Sequence, residues 1–257
     1  LVHKTKCTVF FSTNTFLKNY SKHADRKTFS YLNMLIEGAE KLEENTYNFY
    51  KKNYNIEILE GYGVTEASPA VAVNIPGKIK KGSVGRILPD IDFKLEKIDG
   101  CLEGGKLLIK GDNIMTGYQT SKECPSKGLD KDGWYDTGDV AFIDEDNYLF
   151  IIGRVKRFAK IAGEMISLAQ VENYPKILWE ENNHAVCSIN DITKGEQLIL
   201  ITDKLDANLD TLLDFMKEEN VINLYFPKSI KKVENFPILG SGKIDYKKLQ
   251  EIAESKE

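Results

Sequence analysis

From Cys7 to Gly63 the chain alternates short β-rich runs with stretches of helical spacing, and its last run leads straight into Gly61-Tyr62-Gly63. Cys7 to Phe11 reads as a strand, and Thr13 to Tyr20 carries Phe16, Leu17 and Tyr20 at helical intervals. Leu32 to Ile36 is a second strand candidate, ending at Gly38. Between Glu40 and Lys52, Leu42, Thr46, Phe49 and Tyr50 recur on one face of an amphipathic helix. Ile56 to Leu59 then forms a third strand. This order commits the first third of the chain to wound α/β architecture.

The middle of the chain follows a different rule. Phe93 to Glu96, Lys106 to Ile109, Val140 to Ile143 and Tyr148 to Ile152 are short β candidates separated by Asp-Gly, Gly-Gly and Asp-Asn turn formers. Helical periodicity is weak there, so a β-barrel-like or folded-sheet subdomain is expected over 83–155, after an α/β portion over 1–82. Beyond Gly153 the pattern becomes α+β. A helix is expected from Leu168 to Leu178, and strands at Ala185 to Ile189 and Gln197 to Thr202. Asn208 is a candidate N-cap for a helix from Leu209 to Glu219, with a strand at Ser229 to Val233 and a last helix at Tyr246 to Ala253. The expected organisation is multidomain, α/β and α+β: a large domain over 1–155 and a small one over 156–257.

Composition narrows the function classes. Lys and Arg number 35 against 39 Asp and Glu, giving a net charge of -4 without a basic stripe, which argues against nucleic acid as a partner. No apolar run approaches the ~18 residues of a membrane span, and LVHKTKC has no hydrophobic signal core, so a soluble chain is expected. Cys7, Cys101, Cys124 and Cys187 form no CxxC pair and read as reduced thiols. The start at Leu1 reads as that of an excised or processed piece.

Four clusters combine glycine with exposed polar groups. GYGVTE (Gly61 to Glu66) offers close backbone approach, a hydroxyl for a phosphate and a hard carboxylate suited to Mg²⁺. Alone, it reads equally as a tight turn with Tyr62 in the core. GWYDTGD (Gly133 to Asp139) presents two carboxylates on a rigid loop. Asp139 suits the two hydroxyls of a ribose, while Asp136 suits a turn bonded to its own backbone. GRVKRFAKIAGE (Gly153 to Glu164) reads as a phosphate patch or a solvated hinge. LGSGK (Leu239 to Lys243) puts a mobile cation between glycines, without the length or following hydroxyl of a Walker A loop. His184 and Cys187 fit a buried strand rather than a catalytic group.

Taken in order, these four clusters resemble the motifs of the adenylate-forming superfamily of acyl-CoA synthetases, luciferases and peptide-synthetase adenylation domains. Within it the chain looks most like the acyl-acyl carrier protein synthetase portion of bacterial bifunctional 2-acylglycerophosphoethanolamine acyltransferases. GAEKL (Gly38 to Leu42), EGYGVTE, GWYDTGD, RVKRFAKIAGEMIS (Arg154 to Ser167) and LGSGK carry that likeness. Ala162 stands where many relatives have a glycine, and Met165 where some have an arginine.

The resemblance implies roles residue by residue. Gly38, Ala39 and Glu40 would line the adenine pocket with Tyr62 against the ring. Thr65 would hold the α-phosphate and Glu66 would ligate Mg²⁺. Asp139, assisted by Arg154, would bind the ribose. Lys156 would be the hinge of a rotating small domain, and Lys243 would bridge the acyl carboxylate and the α-phosphate of ATP. An acyl-adenylate would form first, then a thioester on the phosphopantetheine of acyl carrier protein, with fatty acid as substrate. Free CoA as acceptor, or a nonenzymatic complex-forming module, are the alternatives.

The resemblance also implies what is missing. Only 60 residues precede Gly61, and the family's Ser/Thr/Gly-rich phosphate loop lies farther upstream than that. The α/β subdomain is therefore expected to be incomplete, with the upstream half of the protein, or self-association, covering apolar surface near Phe10, Phe16 and Phe49. Turnover by the isolated chain is not expected. The acyltransferase portion and an association with the cytoplasmic face of the bacterial inner membrane would belong to that upstream half.

Overall fold

A computed structural model of the chain describes residues 1–101, 103–121, 124–125, 128–240 and 243–255. Two compact units emerge, one from Leu1–Glu96 with Gly104–Ile152, the other from Lys97–Glu103 with Gly153–Glu257.

The first unit opens with β1 (Val9–Ser12), α1 (Asn14–Ser21), β2 (Met34–Glu37), α2 (Glu44–Tyr54) and β3 (Ile58–Gly63). The three strands pair in parallel, β1 to β2 and β2 to β3. Antiparallel β4 (Ala70–Val73) and β5 (Arg86–Ile87) extend the sheet in the order β1-β2-β3-β4-β5. Thr13 caps α1 by accepting the Phe16 N–H. α2 starts later than the apolar spacing suggests, so Leu42 precedes it, and Asn55 ends it in the left-handed conformation. Leu17, Phe29, Leu35, Tyr50 and Ile58 form the core between these helices and the sheet.

β6 (Ile91–Glu96), β7 (Gly105–Gly111), β8 (Gln119–Ser121), β9 (Cys124–Pro125), β10 (Tyr135–Ile143) and β11 (Leu149–Arg154) follow. Four of them form a sheet in the order β11-β10-β7-β6, and β8 pairs with β9. Of the two forms expected, barrel-like or folded sheet, the described residues show a sheet without barrel closure. β6 and β11 are opposite edges of an open sheet, because strand composition sets pairing while closure also needs a consistent stagger around a ring.

The second unit is an α+β fold. β12 (Phe158–Ile161) and β13 (Glu164–Ser167) make a hairpin, followed by α3 (Leu168–Val171), α4 (Asn173–Leu178), β14 (His184–Asp191), β15 (Gly195–Thr202), α5 (Leu209–Glu218), β16 (Ser229–Lys232) and α6 (Tyr246–Glu254). The sheet order is β13-β12-β15-β14, with β16 parallel to β15. The single helix expected over Leu168 to Leu178 is divided. Pro175 has no N–H to give the carbonyl of Val171, where the first helix stops. Asn208 caps α5 through the Thr211 N–H as its sequence position suggests. His184 is buried with one ring nitrogen 3.0 Å from the Trp179 carbonyl and the other 2.9 Å from the Thr202 hydroxyl, a structural arrangement.

Candidate nucleotide site

In an open α/β sheet, ligands bind beyond the carboxyl ends of the parallel strands. Three loops emerge at those ends here: Thr13-Asn14 after β1, Gly38-Ala39-Glu40 after β2, and Val64-Thr65-Glu66 after β3. Ala39 is left-handed, with φ of 69°. A Cβ at Gly38 would lie 3.4 Å from the Gly61 carbonyl oxygen, so the second loop starts close against β3. Gly63 is required outright, since a Cβ there would sit 2.2 Å from the Pro69 carbonyl oxygen. That close approach holds the turn in which Val64 N–H donates to Pro69. Exposed Thr65 opens a 3₁₀ turn, Thr65–Ala67.

GYGVTE and GWYDTGD, 77 residues apart at their key side chains, meet directly. The Tyr62 hydroxyl donates to Oδ2 of Asp139. Asp139 is 3% exposed and lies on β10, where its own N–H donates to the Thr137 hydroxyl at 3.1 Å and that hydroxyl donates to the Leu107 carbonyl. It is thus a fixed buried carboxylate and not a solvated one. Asp136 plays the local part expected of it: Oδ1 accepts the Gly138 N–H at 2.9 Å, and Lys106 pairs with its other oxygen.

Glu66 is oriented by two groups that the motifs do not contain. The Tyr118 hydroxyl donates to its Oε1 at 2.5 Å, and the Met115 N–H donates to its backbone carbonyl at 2.7 Å. The Tyr118 and Tyr135 hydroxyls are 3.3 Å apart, and burial drives the Tyr135 phenol far above its ordinary pKa. The sequence signal for Tyr118 is only its place after Gly117, too common to single out. No group of three or more His, Cys, Asp or Glu side chains suited to a metal occurs among the described residues. A single carboxylate such as Glu66 fits Mg²⁺ only where substrate phosphates and water complete the shell, as they do for nucleotide-bound magnesium.

Beneath the second loop lies a set of carboxylates that sequence reasoning also missed. Glu37, the last residue of β2, is the register partner of Glu60 inside β3. Glu37 is 1% exposed and accepts the Asn14 N–H at 3.2 Å. Burial, with Glu60 beside it, pushes its pKa up to about 8, and burial pushes Glu60 to about 7. Glu40 accepts the Thr15 N–H at 2.8 Å, in the first turn of α1.

The remaining expected residues lie in the second unit. Arg154 ends β11 and is exposed. Lys156, also exposed, lies in the 3₁₀ turn Val155–Arg157. Lys243 is exposed on a loop closed by the Leu239 N–H donating to its carbonyl at 2.8 Å and by an Ile238–Ile244 bridge. Ser241 and Gly242 of LGSGK lie outside the described residues, as does the Cys124 side chain. Cys7, Cys101 and Cys187 are free thiols. No helix among the described residues is long and apolar enough to cross a membrane.

Known proteins share similarity with most of this chain. Residues 1–119 match the family model described as AMP-binding enzyme. The chain is 31% identical over 236 residues to 4-coumarate–CoA ligase 3 of Oryza sativa subsp. japonica, covering 85% of the chain and 42% of that protein. It is 28% identical to probable 4-coumarate–CoA ligase 2 of Dictyostelium discoideum, covering 98% and 48%. The crystal structure of ATP-bound MatB from Rhodopseudomonas palustris shares the fold, with a TM-score of 0.82 at 21% identity, over 99% of this chain and 53% of that one. The chain therefore spans about half the length of these relatives.

Proposed function

We propose that the chain is part of a longer ATP-dependent acid–thiol ligase of the AMP-binding enzyme superfamily, a reading supported by the family model matched over residues 1–119 and by the ligases it resembles. The observation that carries the reading is the Tyr62–Asp139 hydrogen bond. It joins the motif at the carboxyl end of β3 to the one on antiparallel β10 and holds a buried acceptor beside Tyr62, which supports a nucleotide site there. An ionised carboxylate only accepts hydrogen bonds, which suits the paired hydroxyls of a ribose.

In the proposed reaction a carboxylate oxygen of the acid attacks the α-phosphorus of ATP, and the bond to the bridging oxygen breaks to release pyrophosphate. A thiol then attacks the acyl carbon of the resulting anhydride, forming a thioester and releasing AMP. Negative charge grows on the α-phosphoryl oxygens in the first step. Lys243 supplies a compact positive charge there and Thr65 a hydroxyl donor, while Gly38, Ala39, Glu40 and Tyr62 enclose the base. Glu66 would hold Mg²⁺, which when bound neutralises phosphate charge. Arg154 supports the ribose end, and Lys156 is the pivot between the two half-reactions.

The thiol acceptor is proposed to be phosphopantetheine, carried on acyl carrier protein, with a fatty acid as the activated substrate. The likeness of RVKRFAKIAGEMIS to acyl carrier protein synthetases supports that carrier. The names of the two plant and amoebal relatives favour a second reading, CoA as acceptor. A linked lysophospholipid acyltransferase and a site at the inner membrane are proposed for the longer protein only. The test is acid-dependent ATP–pyrophosphate exchange by the full-length protein carrying this chain, followed by thioester formation with acyl carrier protein and CoA side by side. AMP and pyrophosphate as products, with faster transfer to the carrier protein, are expected. Release of ADP and phosphate, or exchange indifferent to any carboxylic acid, would refute the ligase reading. A preference for CoA would replace only the acceptor.

A further inference from the structure

Lys243 lies on an exposed loop, yet the role proposed for it demands placement to a fraction of an ångström. The loop rejoins the fold at Asp245, whose N–H donates to the Pro237 carbonyl at 3.1 Å and whose side chain caps α6 through the Lys248 N–H at 3.1 Å. The next residue, Tyr246, begins α6 and is three positions beyond Lys243.

Tyr246 meets an ionic cluster drawn from three other segments. The Arg157 guanidinium lies over its ring, 3.9 Å from the centroid. Arg157 also pairs with Glu172 and donates to the Val186 carbonyl at 3.0 Å. Glu172 is 2% exposed. Its Oε1 also accepts the Val186 N–H at 2.9 Å, and its Oε2 accepts the Tyr246 hydroxyl at 3.4 Å. Desolvation, with Glu172 nearby, pushes the Tyr246 phenol up to about 12. A buried ion pair contributes little net stability, because the loss of hydration offsets much of the attraction. What such a pair fixes well is geometry. Arg157 here satisfies a carboxylate, a carbonyl and an aromatic face at once, a combination that suits a planar guanidinium and not an ammonium.

Arg157 is also the last residue of the turn that contains Lys156. The cluster therefore clamps that turn to the start of α6. Building on the adenylation role given to Lys243, we propose that Arg157, Glu172 and Tyr246 are its positioning residues. They fix the lysine's loop to the Lys156 turn, so that any displacement of that turn carries the lysine with it as one body.

Tyr246→Ala removes the clamp on the loop side, and Tyr246→Phe keeps the ring under Arg157. In the full-length protein, Tyr246→Ala is expected to lower kcat for adenylation roughly 10- to 100-fold, the scale of a small misplacement of a catalytic group. KM for ATP should stay within about twofold, as should thioester formation from a supplied acyl-adenylate. Tyr246→Phe should restore most of the rate. In the chain itself, amide exchange over Ile238–Ile244 should accelerate in Tyr246→Ala by about tenfold or more, while the β14–β15 ladder stays protected. Arg157→Lys should behave like Tyr246→Ala. Unchanged loop exchange and adenylation in Tyr246→Ala would overturn the positioning role, and so would an equal fall in both half-reactions. If Lys243→Ala itself left adenylation intact, the role of the lysine would fail, and this proposal with it.

Discussion

The two units hold their candidate groups in opposite ways. In the first, Asp139 is buried, bonded to Tyr62 and carried on a central strand, and Glu66 is oriented by Tyr118. In the second, Lys243 is exposed on a loop whose backbone is held by its neighbours. A carboxylate that recognises a sugar does the same work in every step, so rigidity costs it nothing. A cation needed in one half-reaction and not in the other is better held on an element that can leave. The contrast predicts that changes in the first unit alter affinity and stability, and that changes at Lys243 alter rate.

The largest expected effect is on rate. Lys243→Ala in the full-length protein should lower acid-dependent ATP–pyrophosphate exchange by about 10²–10³-fold, the usual loss when one preorganised donor to a developing charge is removed. Thermal unfolding of the chain should barely change, because the side chain is exposed. A comparable loss of stability would erase the distinction between the two regions.

Stability should respond next, at Glu37. Its folded pKa, about 8, lies above that of an exposed carboxyl, so the folded state holds a proton that the unfolded state has released. Its contribution is greatest at low pH and is lost as pH rises from the unfolded value through 8. Glu60 acts in the same direction, and the Asn14 N–H opposes it. Glu37→Gln should therefore stabilise the chain by on the order of 4 kcal/mol at pH 8 and by little at pH 4.5, as read by urea unfolding. A variant no more stable than the parent at pH 8 would mean that the carboxylates under the second loop are not the strained feature they resemble.

The smallest effect concerns the β12–β13 hairpin. Its two-residue turn, Ala162-Gly163, has φ of 51° and 90°. Alanine is disfavoured in that conformation, so Ala162→Gly should stabilise by up to ~1 kcal/mol. The left-handed backbone at Ala162 is one that glycine adopts freely, in keeping with the glycine that the resemblance leads one to expect there.

Much of the fold is legible in the sequence because two periods dominate it. The spacing of Leu212 and Met216 announces α5, and the alternation through Ala185, Cys187 and Ile189 announces β14. Features set by partners distant in sequence are not legible. Whether the β-rich sheet closes depends on its stagger, and Pro175 divides a helix that apolar spacing alone would continue. In the site, glycine-framed motifs point to Tyr62, Glu66 and Asp139, whose conformational demands are local. Arg157 lies inside the third cluster, but its partners Glu172 and Tyr246, like Tyr118 and Glu37, are brought to their sites only by tertiary packing.

Nucleotide affinity measured apart from turnover tests the contrast most directly. A non-hydrolysable acyl-adenylate analogue would be titrated calorimetrically into the full-length protein, its Asp139→Ala variant and its Lys243→Ala variant. Roughly 10- to 100-fold weaker binding is expected for Asp139→Ala, which loses a buried charged acceptor, against a change within about threefold for Lys243→Ala. The reverse ranking, with the lysine variant crippled in binding and the aspartate variant intact, would contradict the division between a fixed cradle and a delivered charge.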